Sequence, residues 1–214
     1  MNVYIKALIP TIFVFLIGIM IGIWIENYRL RETRKALSEF EIIWNDAQLL
    51  NKYLEKMGNE SCDLAFQQNL IFNDKIYKKG LEIEKMLKAN LFTPEIIQEW
   101  TRYVLLQIQF WFNSIELRQR CNLDYHTAVH LYNIKISPIE KAENDVQSAV
   151  MLELKYKCGA KMMLIPLTAD VDLIVVDSVL KKYNITKLPA IIIDEKYVFQ
   201  GLTSLEQLEK IVKC

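Results

Sequence analysis

The sequence has few of the residues that interrupt helices, and it has no excess of either charge. It contains 5 prolines and 6 glycines in 214 residues, and no proline lies between Pro10 and Pro94. Because proline removes a backbone donor and clashes with the preceding turn, this gap leaves room for long helices. Lys and Arg total 26, as do Asp and Glu, so the basic excess typical of nucleic-acid-binding proteins is missing. We therefore expect no nucleic-acid partner.

Motifs that carry chemistry are also scarce. The 4 cysteines include no C-x-x-C pair, and the sequence shows neither an internal repeat nor a low-complexity stretch. The only histidines, His126 and His130, lie four residues apart on one predicted strand. Two histidines without a third ligand fall short of a zinc site, so we expect no metal and no cofactor.

A long apolar run near the N-terminus predicts a membrane anchor. The 19 residues from Ala7 to Ile25 carry no charge, and a helix of this length nearly spans a hydrocarbon core of about 30 Å. Trp24 and Tyr28 flank the run, where aromatic rings favour the headgroup region. A cleaved signal peptide would have a shorter apolar region and a small-residue cleavage site, which does not follow here. Residues 1–26 are therefore predicted to be a retained single-pass anchor in the lipid bilayer.

Two details of the anchor bear on association and orientation. Gly18 and Gly22 form a G-x-x-x-G pair, a spacing that lets two helix backbones approach closely. This pair predicts self-association into a homodimer. The basic residues that follow the helix favour a cytoplasmic C-terminal part by the positive-inside tendency; they are Arg29, Arg31, Arg34 and Lys35.

Residues 27–122 are predicted to be helical. Apolar residues at three- and four-residue steps predict one long helix from Glu26 to Met57, continuous with the anchor. A second helix is predicted to end near Ala89, and Pro94 is expected at the first position of a third. Three such helices form a small antiparallel bundle or a coiled stalk. Nothing in this region indicates catalysis, and its aromatic residues are assigned to core packing.

The periodicity changes near Thr127, and the elements that follow have the order βαβαββα. The predicted strands cover 127–133, 161–167, 188–194 and 196–201, the last two forming a hairpin across Asp194-Glu195. The predicted helices cover 138–157, a segment capped by Asp170 that ends near Tyr183, and a last helix after a Thr203–Glu206 capping box. The βαβ part requires a right-handed crossover onto one sheet.

This order of elements, together with one segment, resembles the thioredoxin superfamily over residues 125–214. The segment runs from Tyr183 to Asp194 and reads YNITKLPAIIID. The predicted fold class is therefore an N-terminal transmembrane helix, an antiparallel helical bundle or stalk, and a thioredoxin-like βαβαββα domain at 123–214. The resemblance implies a cis peptide bond before Pro189, which exposes the backbone of Leu188 to the start of the domain's first helix. Active members of the family carry their C-x-x-C pair at that start.

The sequence departs from the family at the redox motif. Counting from the strand, the motif position holds Ser137, Pro138, Ile139 and Glu140; a slip of four places Lys141 to Asn144 there instead. Neither alignment contains a cysteine. Ser137 and Glu140 form a capping box with proline at the first helical position. Because a hydroxyl cannot exchange with a disulfide sulfur, ordinary oxidoreductase turnover is excluded here and no catalytic residue is assigned.

The cysteines allow three pairings, and one of these is favoured. Cys62 begins the second predicted helix and Cys121 ends the third, so antiparallel helices would bring them together. The resemblance places the first and last helices of the domain side by side, which brings Cys158 near Cys214. Two such disulfides are typical of an oxidising compartment and favour an extracytoplasmic domain, against the charge rule. Four unrelated thiols remain the alternative.

These observations favour a membrane-anchored thioredoxin-like protein without a redox-active pair, acting as a non-catalytic binding or scaffolding module for another protein. Two alternatives stay open. One is a thiol–disulfide oxidoreductase that uses displaced cysteines such as Cys158 and Cys214. The other is a membrane-organising helical protein that dimerises through its transmembrane helix and bundle.

Overall fold

The computed structural model of the chain describes residues 3–57, 62–88 and 94–214. Within these ranges the protein is mostly helical, with one apolar helix at the N-terminus and a mixed four-stranded sheet at the C-terminus. The helices are α1 (Val3–Met57), α2 (Cys62–Lys88), α3 (Pro94–Cys121), α4 (Pro138–Cys158), α5 (Ile174–Lys182) and α6 (Leu205–Glu209). The strands are β1 (His126–Tyr132), β2 (Met162–Thr168), β3 (Ala190–Ile193) and β4 (Tyr197–Gln200). The predicted end of the second helix, Ala89, lies outside the described residues.

The N-terminal half of α1 has the properties of a membrane-spanning helix. Residues Leu8–Tyr28 form 21 helical positions, none of them buried against the rest of the chain. This length and composition suffice to cross a hydrocarbon core. At Gly18 and Gly22, an added Cβ would find no other atom of the described chain within 4 Å. Self-association through this pair stays a prediction.

Beyond the apolar segment, α1 continues as one helix and contacts both α2 and α3. Leu30 packs against the main hydrophobic core, and Arg102 of α3 lies 3.8 Å from the carboxylate of Glu41. The apolar segment and the helical region are therefore continuous.

The sheet has the strand order β2-β1-β3-β4. Strands β1 and β2 are parallel, whereas β3 is antiparallel to both β1 and β4. One face, which includes Ala128 and Leu164, is covered by α4 and α6. The opposite face, which includes Val129, Ile165 and Ile192, is covered by α3 and α5. Because both faces of the sheet are buried there, β2 and β3 are apolar at nearly every position.

The helical region and the sheet share one hydrophobic core. Phe72 and Ile76 of α2 and Tyr103 of α3 belong to the same buried cluster as Met163 and Ile165 of β2. Most of the aromatic residues of α3 are buried in this cluster, as expected for core packing; these are Trp100, Tyr103, Phe110 and Trp111. The division at residues 122 and 123 stays a prediction, but the two segments bury apolar surface against each other.

Side chains cover the exposed edge of the sheet. Strand β2 forms one edge of the sheet. Unpaired backbone carbonyls on an edge strand can pair with another chain. Three of its carbonyls accept hydrogen bonds from side chains: Met162 from Lys155 Nζ (2.6 Å), Leu164 from Asn73 Nδ2 (3.1 Å) and Pro166 from the Gln107 amide. Pro166 has no backbone donor to leave unpaired, which fits its place on an edge strand. The edge is therefore not open to strand addition at these carbonyls.

The β3–β4 turn consists of two non-glycine residues in the left-handed region. Asp194 and Glu195 have φ values of 53° and 58°, and this conformation costs an L-residue of the order of 1 kcal/mol. Residues of α3 and β1 bind both carboxylates. Arg118 forms an ion pair with each of them. Asp194 is also bound by His126 and by the N–H of Thr127, and Glu195 by Trp111 and the Thr127 hydroxyl. Tertiary contacts therefore stabilise the turn in place of glycine.

The last helix begins one residue later than the sequence predicts. The capping box is formed by Ser204 and Gln207, not by Thr203 and Glu206. Thr203 is engaged elsewhere, because its N–H donates to Gln147 Oε1 (2.7 Å) and its carbonyl accepts from Gln147 Nε2 (3.2 Å). Since these bonds join Thr203 to α4, Ser204 is left to cap the helix.

Candidate functional site

The starts of α4 and α5 lie at one end of the sheet. Each helix follows one of the parallel strands β1 and β2, and parallel strands present their carboxyl ends at the same edge. Ligands of open α/β sheets bind at this edge. The Leu188–Pro189 segment lies at the same end, because Ala190 pairs with Leu131 near the end of β1. We call this region the carboxyl-end surface, defined by residues 133–140, 170–174, 186–189 and 201–202.

The predicted motif position is an exposed helix start. The Ser137 hydroxyl and N–H both donate to Glu140 Oε2 at 2.8 Å, and Glu140 N–H donates back to Ser137 Oγ at 3.4 Å. These bonds, first the one from the backbone of Ser137, lower the pKa of the Glu140 carboxyl. Pro138 occupies the first helical position, and Ile139 is exposed. Ser137, Pro138 and Glu140 therefore serve to begin α4.

The residues of the shifted alignment have structural contacts of their own. Lys141 forms an exposed ion pair with Asp145 at 3.0 Å. Asn144 is buried and donates from Nδ2 to the carbonyl of Asn133 at 2.9 Å. That bond joins α4 to the loop after β1, so Asn144 positions this loop.

Asp170 does not cap α5, contrary to the sequence-based prediction. The helix begins at Ile174, and its N-cap residue, Leu173, makes no side-chain capping bond. The Asp170 carboxylate instead accepts the backbone N–H groups of Ile134 (2.9 Å) and Lys135 (2.6 Å). It thereby joins the β2–α5 loop to the β1–α4 loop, which a local sequence pattern does not reveal.

The segment before β3 is held by the end of β4. The peptide bond between Leu188 and Pro189 is cis. The carbonyl of Pro189 accepts the N–H of Gly201 at 2.7 Å, and Gly201 has a φ of 81°, which favours glycine. The Gln200 side chain binds the preceding loop, with bonds to Asn184 O (3.1 Å), Thr186 N (2.8 Å) and Lys187 N (3.0 Å). Both sides of the carboxyl-end surface are thus fixed by hydrogen bonds.

Apolar side chains are exposed on this surface. Ile139 is 76% exposed, Ile174 87% and Leu202 54%, while Leu188 is half-buried. Single exposed apolar residues are ordinary, but these three belong to three segments that meet at one end of the sheet. The surface is suited to contact another apolar surface.

The cysteines lie away from this end. Cys62 and Cys121 are paired at disulfide distance with Cα atoms 5.7 Å apart, and Cys158 and Cys214 are paired with Cα atoms 4.9 Å apart. Cys158 ends the 21-residue helix that Ser137 begins, and a helix of this length is about 30 Å long. All four cysteines of the sequence are therefore in these two pairs, and the carboxyl-end surface has no thiol.

The two histidines do not meet at a common site. His126 Nδ1 is 2.6 Å from Asp194 Oδ2 at the hairpin turn. His130 is buried, and this burial lowers the pKa of its imidazole to about 4. Among the described residues, no group of three or more His, Cys, Asp or Glu side chains is arranged to hold a metal ion.

Sequence reasoning missed a cavity of about 620 Å³ that lies between the helices α2, α3 and α4 and the edge of the sheet. Its lining includes His130, Gln107 and Tyr132, and also Lys141 and Asn144 from the shifted motif position. A polar residue within an apolar strand, His130, was the only sequence signal for it.

Comparison of the chain with models of known protein families finds no match, and comparison with curated proteins finds none either.

Proposed function

We propose that this chain is a membrane-anchored thioredoxin-like protein that binds another protein and carries out no thiol–disulfide exchange. The observation that carries this proposal is the place of the cysteines. All four are paired away from the carboxyl-end surface, and Ser137 and Glu140 form a capping box where the family resemblance puts the redox motif.

The topology of the C-terminal region supports the thioredoxin-like part of the proposal. A parallel β1–β2 pair is followed by an antiparallel β3–β4 hairpin on the other side of β1. Helices α4 and α6 share one face of the sheet, and α5 lies on the other. This arrangement fits the βαβαββα order, with first and last helices side by side, that the resemblance implies.

The chemistry of the site favours binding over catalysis. Exchange with a disulfide requires a thiolate, which the Ser137 hydroxyl does not supply. The oxidoreductase alternative relies on displaced cysteines such as Cys158 and Cys214, and Cys158 ends α4. The C-terminal end of a helix carries partial negative charge and disfavours a thiolate. We therefore assign the carboxyl-end surface to contact with an apolar segment of another protein, made through Ile139, Ile174 and Leu202.

The proposal extends to the compartment of the domain. Structural disulfides persist in oxidising compartments, so we place the region after the anchor outside the cytoplasm. This placement overrides the basic residues that follow the anchor, because long translocated domains respond weakly to such charges.

The test uses the full-length protein with a photo-reactive amino acid at one of two exposed positions on the same helix. Position 139 is on the carboxyl-end surface, and position 156, where Tyr156 is 81% exposed, lies near the opposite end of α4 and serves as the control. In native membranes we expect position 139, but not position 156, to cross-link to a defined protein, and Ile139→Lys to weaken that protein's binding to the purified chain. Equal cross-linking from both positions would contradict the binding surface.

A second measurement separates binding from catalysis. The purified full-length chain is added to insulin and dithiothreitol, and the rate of insulin reduction is followed by turbidity. We expect the rate to equal that of dithiothreitol alone. Turnover above that rate, lost in a Cys158→Ala variant, would favour the displaced-cysteine oxidoreductase instead.

A further inference from the structure

The cavity between the helices and the sheet edge has the size of a small-molecule site. Its volume is about 620 Å³, within the range of roughly 300–1,000 Å³ that such sites occupy. Its walls are largely apolar and aromatic, and they include Trp100, Tyr103, Tyr132 and Met151. Residues 133–136 line the cavity and also belong to the carboxyl-end surface, but the exposed apolar residues of that surface, Ile139, Ile174 and Leu202, do not line it.

Two buried polar atoms in the lining lack a hydrogen-bond partner. Gln107 is 1% exposed and His130 is 2% exposed, and no described residue hydrogen-bonds to Gln107 Oε1 or to His130 Nε2. Buried polar side-chain atoms are nearly always paired in folded proteins, since losing their hydration without replacement is unfavourable. Both residues line the same cavity, where a partner from outside the chain would satisfy these two atoms.

The orientation of the Gln107 amide is fixed by its other contacts. Its nitrogen donates to the carbonyl of Pro166 and to Tyr103 Oη, the latter at 3.1 Å. Since the Pro166 carbonyl can only accept, the nitrogen must face it, and the oxygen is the atom left over. A group that pairs with Gln107 Oε1 must therefore be a hydrogen-bond donor.

Neither Gln107 nor His130 carries a charge that would select an ionic ligand. Burial lowers the pKa of His130 to about 4, so its imidazole is neutral at pH 7. The charged side chains Lys135, Lys141 and Asp145 of the lining are exposed. Glu84 is half-buried, and its charge contributes to raising the pKa of Tyr103 and of Tyr132 in the cavity wall, so it disfavours an anionic ligand. An uncharged ligand therefore suits the part of the cavity beside Gln107 and His130.

We propose that this cavity binds a neutral small molecule with an aromatic or other apolar body and a hydroxyl or amide N–H group that donates to Gln107. His130 Nε2 pairs with a second polar atom of the ligand or of a water that enters with it. The site requires no thiol and does not depend on the proposed protein-binding role.

The test uses two probes with the same ring system. Naphthol offers a hydroxyl donor, and its methyl ether lacks it. The full-length protein, labelled at the methionine methyl groups with carbon-13, is placed in lipid nanodiscs and titrated with each probe. We expect the signal of Met151, which lines the cavity, to shift saturably with naphthol, while that of buried Met163, which does not line it, stays unchanged. The ether should bind at least about tenfold more weakly, a difference of about 1.4 kcal/mol.

Matched variants on α4 locate the binding. Ser148 lines the cavity, whereas its neighbour Ala149 is exposed and does not. Ser148→Phe should abolish the naphthol-dependent shift of Met151, and Ala149→Phe should retain it. No saturable shift of Met151 in the unmodified protein, equal affinity for the ether, or contact between the Met151 methyl group and lipid chains would each overturn the proposal. The first two outcomes need no variant, so the test does not rely on Ser148→Phe folding.

Discussion

The side chain of Arg118 should stabilise the protein more than any exposed ion pair on its surface. It lies near the end of α3 and binds both carboxylates of the β3–β4 turn, Asp194 and Glu195. Arg118→Gln removes both ion pairs while keeping a polar side chain of moderate length. The carboxylates would then be left half-buried, on two residues whose backbone is already in the left-handed region.

The expected loss follows from the burial of the three groups. The side chains of Arg118, Asp194 and Glu195 are 18%, 21% and 19% exposed. Removing one partner of a fully buried pair costs about 3–5 kcal/mol, and an exposed pair contributes about 0–1 kcal/mol. Since this network is closer to the buried case, we expect Arg118→Gln to lower the free energy of unfolding by about 2–3 kcal/mol.

Urea unfolding of the full-length protein in detergent micelles, followed by tryptophan fluorescence, measures this loss. With a denaturant dependence of about 2 kcal/mol per molar urea, the midpoint should fall by about 1–1.5 M. Trp111 is a local reporter, because its Nε1 donates to Glu195 at 2.8 Å. The matched control is Lys157→Gln: Lys157 also faces two carboxylates, Glu153 and Glu209, but it is 49% exposed. The urea midpoint of Lys157→Gln should fall much less than that of Arg118→Gln.

The same network predicts the acid dependence of stability. Burial alone would raise the pKa of Asp194, but the hydrogen bonds from His126 and Thr127 and the charge of Arg118 outweigh it and lower this pKa. A lowered folded-state pKa adds stability that is complete above the unfolded value of about 3.9 and is lost as the pH falls through the folded value. The Asp194→Asn variant should not show this loss of stability at low pH.

Two results would refute the reasoning about the turn. One is an Arg118→Gln midpoint no lower than that of Lys157→Gln, which would mean that burial does not set the strength of these pairs. The other is an acid transition that Asp194→Asn leaves unchanged, which would show that other carboxyl groups govern it.

Two further predictions concern the helical region and the disulfides. Gly80→Ala should lower the thermal unfolding midpoint and reduce the free energy of unfolding by about 1–3 kcal/mol. An added Cβ would collide with the Tyr103 hydroxyl, which donates to the carbonyl of Ile76 at 2.9 Å. A gain in stability of about 1 kcal/mol, the usual effect of this change in a helix, would contradict that packing. In intact cells, external protease should remove a C-terminal tag, and non-reducing peptide mapping of native membranes should recover Cys62–Cys121 and Cys158–Cys214. A protected tag or four free thiols would contradict the proposed compartment.

Local signals in the sequence were sufficient to predict the helices and strands of the fold. The uncharged run of residues 7–25 needs no partner to identify it, because length and composition alone decide whether a helix can cross a membrane. The strands and helices after residue 125 were predicted to within a few residues, as were the hairpin across Asp194-Glu195 and the capping box of Ser137 and Glu140. These features depend on side chains a few positions apart.

Predictions failed where a side chain bonds to a distant segment. Asp170 looks like a helix cap, but it accepts two N–H groups from a loop 35 and 36 residues earlier. Thr203 looks like the first residue of a capping box, but Gln147, 56 residues away, occupies its backbone. A local pattern cannot show which of two partners a polar group will hydrogen-bond, because that depends on which partner the fold brings within hydrogen-bond distance.

The sequence by itself therefore determined that the chain has a segment able to span a membrane, a helical region, a C-terminal α/β region and no cysteine at the expected redox position. The tertiary structure decided that α2 and α3 pack against the sheet, that they cover its edge through Asn73 and Gln107, and that a cavity remains beside His130. The reason is physical: composition and periodicity act over a few residues, whereas a shared core and a cavity exist only between segments that folding brings together.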